Sequence, residues 1–218
     1  MAGYNGIATR YDSYYTRPRD RAENAVLRAL AYCLGFHVGP VLDLGCGTGL
    51  LLDLLAEGEP AEGYLGLDCS PTMLAAARWK HPRARFQPGD LRRPMLVARY
   101  SHLWCSFALQ HVTLGEAREA VDRWRGFVTR RHVVCVVVPT ARHLADRNPA
   151  TAEIPHAAGP ETPWSPATAR AIFGPAIHVQ GLTYSRTGSA RLAALEHATL
   201  GRGWPAGADF LVLTGTLR

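Results

Sequence analysis

Two rhythms of apolar residues alternate along the chain. Short unbroken runs bounded by glycine, proline or acidic residues predict strands buried on both faces; apolar positions recurring every third or fourth residue predict helices. Val41–Leu44, Tyr64–Asp68 and His132–Val138 are of the first kind, and Arg85–Leu91 reads as a short third strand ending in Asp90. Arg21–Leu34 is of the second, with Ala22, Ala25, Val26, Ala29, Leu30 and Cys33 on one face, Asp20 as cap and Gly35 as stop. Leu50, Leu51, Leu54 and Leu55 predict a helix directly after the first strand. Met73, Leu74 and Ala77 predict another behind Ser70-Pro71, an N-cap followed by a first-turn proline. Glu116–Phe127 carries Ala117, Ala120, Val121 and Trp124 at helical spacing. Ile177–Tyr184 and Asp209–Leu217 alternate apolar and polar residues, as a closing antiparallel pair should. A short helix at Pro166–Phe173 precedes that pair, and another at Arg191–Leu200 falls within the insertion over 186–208.

Alternation of strand and helix predicts an α/β fold with a mostly parallel sheet. The 218 residues suit a single domain over 1–218. Two stretches depart from the rhythm. Residues 1–18 form an arm bearing Tyr4, Tyr11, Tyr14 and Tyr15, so that arm and first helix together occupy 1–35. From about 140 to 166 the chain is broken by Pro149, Pro155, Pro160, Pro163 and Pro166. A loop that long in a compact domain is mobile or functional. It follows a strand's carboxyl end, the edge where open α/β sheets bind ligands, and reads as a substrate cover containing His143, His156 and Trp164.

Composition narrows the partners. No run approaches the roughly 20 apolar residues of a membrane span, and the first residues lack a basic and apolar leader. Five cysteines include no C-x-x-C pair; Cys46, Cys69, Cys105 and Cys135 fall in or beside strands. Buried reduced thiols in a cytoplasmic protein account for them better than disulfides or zinc, and no histidine spacing supports a metal. Net charge is +6, nearly all of it arginine, with Lys80 the only lysine. The arginines are scattered apart from Arg92-Arg93 and Arg130-Arg131, a weak footprint for nucleic acid, which stays possible but is not favoured.

The chemistry concentrates where the first strand meets its helix. Val41-Leu42-Asp43-Leu44-Gly45-Cys46-Gly47-Thr48-Gly49-Leu50 places glycine at every second position of the turn. Glycines so grouped mean tight geometry or a ligand lying against bare backbone. The spacing is not G-x-G-x-x-G, because Leu50 stands where the last glycine is needed; nor is it a P-loop, since no Gly-Lys-Ser/Thr follows. Asp68 ends the second strand about 20 residues past Gly49, the place of the acid that grips a ribose in a βαβ unit. Its carboxylate can accept from both ribose hydroxyls.

With Asp43 in phase with three glycines, the stretch resembles motif I of the class I methyltransferases that use S-adenosylmethionine (SAM), close to D-x-G-x-G-x-G. Asp68-Cys69-Ser70-Pro71-Thr72-Met73-Leu74 is similar to that family's D-x-S-x-x-M-L, and Arg99 to Val112 resembles its fourth strand and following loop, with Ser101 where an acid is common. The resemblance implies seven strands, helices on both faces and an antiparallel last strand. It implies SAM as donor, S-adenosylhomocysteine as product, and no metal. It assigns cofactor contacts to Tyr11 of a Tyr11-Asp12 flap, Asp43, Gly45, Cys46, Gly47, Gly49, Asp68, Cys69, Met73, Asp90, Leu91 and Ser106. Tyr14, Tyr15, Phe107, His111 and Trp164 fall to the methyl acceptor. His111 is a candidate general base, since imidazole titrates near neutrality; binding or helix capping are its other readings. The expected acceptor is an oxygen or nitrogen of a small molecule, and the expected assembly a monomer or homodimer.

Overall fold

Seven strands form one sheet in the order β3-β2-β1-β4-β5-β7-β6. They are β1 (Val41–Leu44), β2 (Leu65–Asp68), β3 (Arg85–Pro88), β4 (Tyr100–Ser106), β5 (Val128–Pro139), β6 (Ile177–Leu182) and β7 (Phe210–Gly215). The computed structural model describes residues 7–15, 18–55, 63–145, 161–182 and 208–217. Helices α1 (Pro18–Cys33), α2 (Leu50–Leu54), α3 (Pro71–Lys80), α4 (Leu114–Trp124), α5 (Ala141–Ala145) and α6 (Pro166–Phe173) connect the strands, and a 3-10 turn at Ala8–Tyr14 precedes α1. β1 to β5 run parallel, while β7 runs antiparallel to β5 and β6. The expected mixed sheet with its antiparallel last strand is present. The helix expected at Arg191–Leu200 and the middle of the cover loop, with His156, lie outside the described residues.

Period-two alternation splits the core between two faces. Val134, Val136 and Val138 of β5 join Leu42, Leu44, Leu103 and Cys105 under α4 and α6, where Trp124 and Phe173 fill the layer. Cys135 and Val137, one step out of phase, join Val41, Trp104 and Val212 under α1 and α2, with Leu27, Phe36, Leu51 and Leu54. β1 lies between β2 and β4, so connections leave it in opposite directions and a crevice opens at its carboxyl end.

Several local expectations need correction. α1 starts at Pro18, which places Asp20 in its first turn rather than at its cap, and Asp20 is buried. The buried stripe is Leu27 and Ala31, while Ala25, Ala29 and Cys33 are exposed. This helix has apolar residues on more than one side, and the sheet takes the side with the larger leucine area. α4 begins at Leu114, two residues before the expected start, because Thr113 and Glu116 close a reciprocal capping box. Cys46, Cys105 and Cys135 are buried, but Cys69 is exposed, since it lies just past the strand end where Asp68 turns inward. Among the described residues no helix is long and apolar enough to cross a membrane, and no three potential ligands gather for a metal.

Candidate active site

The three glycines after β1 do three different things. A Cβ on Gly45 would sit 2.4 Å from the Cβ of Ala108 and 3.7 Å from Leu91, so bare backbone is what brings the loops after β1, β3 and β4 together. A Cβ on Gly49 would strike the His81 ring at 2.8 Å, so this glycine seats α2 against the end of α3. Gly47, at φ +54°, has nothing within 4 Å of the same position. Two glycines are spent on packing, and the third faces open space.

Beside that space stands Asp68. Its carboxylate accepts from the Gly47 N–H at 2.9 Å and from the Ser70 N–H at 2.8 Å. Burial pushes this carboxyl above its ordinary pKa, and the N–H groups of Ser70, Gly47 and Cys69, with the Cys69 side chain, pull back against the shift. A carboxylate offers about four acceptor sites, and backbone donors take up part of that capacity. Asp43 is different: it is 2% exposed and accepts from the Tyr64 hydroxyl at 2.8 Å. It belongs to the interior of the sheet beneath the loop.

The arm closes on the same loop. Asp12 accepts from the Thr48 hydroxyl at 2.6 Å and from Lys80 Nζ at 2.7 Å. Lys80 also reaches Asp53 of α2 at 2.5 Å, and His81 lies 3.0 Å from the other Asp53 oxygen. Burial favours a neutral amine at Lys80, but the two carboxylates outweigh it and hold the pKa above the usual lysine range. The Tyr11 and Tyr15 rings meet at a tilt, 5.1 Å apart, on this arm, with Tyr14 half-buried between them in sequence.

Asp90, after β3, is held by Arg92, whose guanidinium touches both carboxylate oxygens at 2.6 to 3.0 Å and also reaches Glu116 at 2.7 Å. Partial burial alone would raise the Asp90 pKa; the Arg92 contacts outweigh it and hold the carboxyl below its ordinary range. Leu91 offers its carbonyl to the Trp124 indole at 2.8 Å. Met73 is buried at the start of α3, its N–H donating to Ser70.

At the end of β4, Ser106 accepts from the Trp104 indole at 3.0 Å. Phe107 has φ +53°, the one described non-glycine residue in the left-handed region, and its ring meets Phe210 edge-on at 5.1 Å. Such a conformation in a bulky residue is held by its surroundings and clusters at functional sites. His111 ends the following 3-10 turn, with Nδ1 3.7 Å from the Glu161 carboxylate. Glu161 was not singled out from sequence. It sits at the end of the proline-rich loop, where no local spacing links it to His111. Trp164 is 2% exposed, its backbone N–H donates to Pro139 O at 2.9 Å, and its ring packs against Phe173. It anchors the loop in the core.

Open strand ends, a glycine loop with one vacant Cα, and an acid at the end of β2 define a class I, Rossmann-like methyltransferase fold. Residues 41–130 match the family model described as a methyltransferase domain. The chain is 34% identical over 141 residues to dTDP-3-amino-3,6-dideoxy-α-D-glucopyranose N,N-dimethyltransferase of Streptomyces fradiae, covering 62% of this chain and 54% of that protein. It is 32% identical over 106 residues to trans-aconitate 2-methyltransferase of Rhizobium meliloti (strain 1021), covering 47% of this chain and 41% of that one. The chain thus spans about half the length of the curated relatives it matches. Among solved structures, a DhpI-SAM-HEP complex superposes with a TM-score of 0.63 at 21% identity, over 98% of this chain and 94% of that one.

Proposed function

We propose that the protein is a SAM-dependent methyltransferase acting on an oxygen or nitrogen of a small molecule. The observation that carries this reading is the vacant space at Gly47 beside the inward carboxylate of Asp68. A flat, phosphate-free nucleoside suits it: backbone without a side chain on one side, and a desolvated acceptor for two sugar hydroxyls on the other. The residues fit the cofactor. Asp68 would hold the ribose, Gly45 to Gly47 the amino-acid tail, and Met73, Leu91 and Asp90, steadied by Arg92, the adenine end. Tyr11 would cover the cofactor from the arm.

When bound, SAM supplies an electrophilic methyl group; the acceptor's lone pair forms the new bond, the S–CH3 pair returns to sulfur, and S-adenosylhomocysteine leaves. The protein's own work is placement and exclusion of water, which provide much of the rate in such transfers. Asp12, Thr48 and Lys80 fasten the arm, and Phe107 and His111 border the acceptor side. The small-molecule relatives support the substrate class; the scattered arginines give little support to a nucleic acid.

Calorimetric titration with SAM and with S-adenosylhomocysteine tests the reading. Asp68→Ala is expected to weaken binding by about a hundredfold, on the order of two charge-assisted hydrogen bonds, with near-ultraviolet circular dichroism unchanged. Unaltered affinity in a folded Asp68→Ala variant, or no binding by the unmodified protein, overturns it.

A further inference from the structure

The turn after β3 is strapped along α4 at both ends of that helix. From the last turn of α4, the Trp124 indole donates to Leu91 O at 2.8 Å and Arg123 Nη1 donates to Arg92 O at 3.2 Å. At the first turn, Arg92 Nη1 reaches Glu116 Oε1 at 2.7 Å. Glu116 is also the reciprocal cap of α4. Its Oε2 accepts from the N–H and the hydroxyl of Thr113, each at 2.9 Å, and its own N–H donates to Thr113 Oγ1 at 3.2 Å. Thr113 directly follows the 3-10 turn that ends in His111 and its cap Val112, the segment bordering the acceptor side. On its other side Arg92 grips Asp90, with its backbone N–H at 2.8 Å and with Nε and Nη2 at 2.6 to 3.0 Å. One guanidinium thus joins the acid proposed for the adenine end to the helix cap just past His111.

We propose, resting on the methyltransferase reading, that Arg92 is a positioning residue that couples recognition of the nucleobase amino group by Asp90 to the order of the acceptor-side segment 109–113. An ionised carboxylate only accepts. The exocyclic amine of adenine donates to it, whereas an oxo group in the same place sets acceptor against acceptor and leaves both unpaired. A base that donates to Asp90 holds the carboxylate in place. Arg92, fixed to both of its oxygens, is held with it. Glu116, sharing the same guanidinium, then keeps the α4 cap closed on Thr113. The side chains of Arg92, Asp90 and Glu116 are 36 to 40% exposed. At such exposure a lone ion pair contributes little, but a forked arginine shared within a network keeps its geometry.

The residue type fits a bridge rather than a cap for one acid. The planar guanidinium gives one edge, Nε and Nη2, to Asp90 and turns the remaining nitrogen, Nη1, to Glu116. An ammonium, a single point of charge, could not fix both directions at once. Coupling of this kind is reciprocal. What the base does for 109–113, an ordered 109–113 does for the base, so a methyl acceptor seated beside His111 and an adenine-bearing donor tighten one another. A nucleoside with an oxo group in place of the amine fills the ribose and amino-acid ends of the same site and leaves the bridge unengaged.

Hydrogen–deuterium exchange read by mass spectrometry tests the coupling, with S-adenosylhomocysteine and S-inosylhomocysteine, its oxo counterpart, as probes. In the unmodified protein both are expected to slow exchange over 44–50, and the adenosine compound to slow 109–116 by about threefold more than the inosine compound does. In Arg92→Met the adenosine compound is expected still to protect 44–50 and to lose its effect on 109–116. Its affinity by calorimetry is expected to fall about tenfold, and that of the inosine compound to stay within about twofold. Glu116→Gln keeps a capping oxygen for Thr113 and loses the charge facing Arg92; it is expected to remove protection of 109–116 with adenosine-compound affinity kept within about threefold. Protection of 109–116 that survives Arg92→Met, or equal protection by the two compounds in the unmodified protein, overturns the proposal. If Arg92→Met does not fold, Glu116→Gln decides; if the inosine compound is too weak to saturate, the variants decide with the adenosine compound. Binding of the adenosine compound without any effect at 109–116 overturns the proposal and leaves the methyltransferase reading standing, whereas binding of neither compound defeats both.

Discussion

Asp43 shows what burial does to a carboxyl beneath the glycine loop. Burial pushes its carboxyl up to about 7 against an ordinary 3.8, with the Tyr64 hydroxyl bond opposing the shift. In the unfolded chain the same group ionises near its ordinary value. Between the two pKa values the unfolded state releases a proton that the folded state keeps, so stability falls as pH rises through this window. At roughly 1.4 kcal/mol per unit, the loss is on the order of a few kcal/mol. Urea unfolding from pH 5 to pH 8 is expected to show it, and Asp43→Asn, which keeps an acceptor for Tyr64, is expected to flatten the slope. An equal slope in both proteins would place the titration elsewhere. At this scale the sequence displayed the glycines and Asp68 clearly, because covalent spacing alone brings them to one turn. It did not display which glycine stands free, since that depends on Ala108 and His81 arriving from far along the chain. Nor did it mark Glu161, which meets His111 only after β5 has been laid down between them.

Among the elements, strand positions were more legible than helix faces. A strand has two sides and an apolar run declares both buried, as Val134 to Val138 do. A helix such as α1 has apolar residues on several sides, and only the neighbouring sheet selects Leu27 and Ala31 over Ala25 and Ala29. The start of α4 was written in Thr113-Leu114-Gly115-Glu116, a capping signal that apolar spacing alone passes over. The arm illustrates a junction of elements. It is tied down by Asp12 to both the glycine loop and α3. Lys80→Met is expected to speed trypsin cleavage after the exposed Arg10 about fivefold, in line with roughly 1 kcal/mol for a half-exposed ion pair. Lys80→Arg should restore protection, and cleavage unchanged in Lys80→Met would show that the arm is held by its tyrosines instead.

For the molecule as a whole, the α/β alternation carried the topology, since right-handed crossovers leave few arrangements open. What the alternation could not convey is how the insertion over 186–208 is folded, and all of it but Ala208 lies outside the described residues. The net charge of +6 calls for a separate measurement. Filter binding of mixed RNA at 50 and 200 mM salt is expected to show weak retention with a shallow salt slope; a loss of about a thousandfold would signal several phosphate contacts and reopen the question of a nucleic-acid acceptor. The solitary lysine has a consequence of its own. Apart from the amino terminus, Lys80 is the single primary amine in 218 residues, and it is clasped between two acids only while the arm lies down. Acylating reagents therefore find one side-chain target whose reactivity follows the arm, and the progress of its acylation, read by peptide mass, would time the lifting of the arm without any dye, tag or engineered residue.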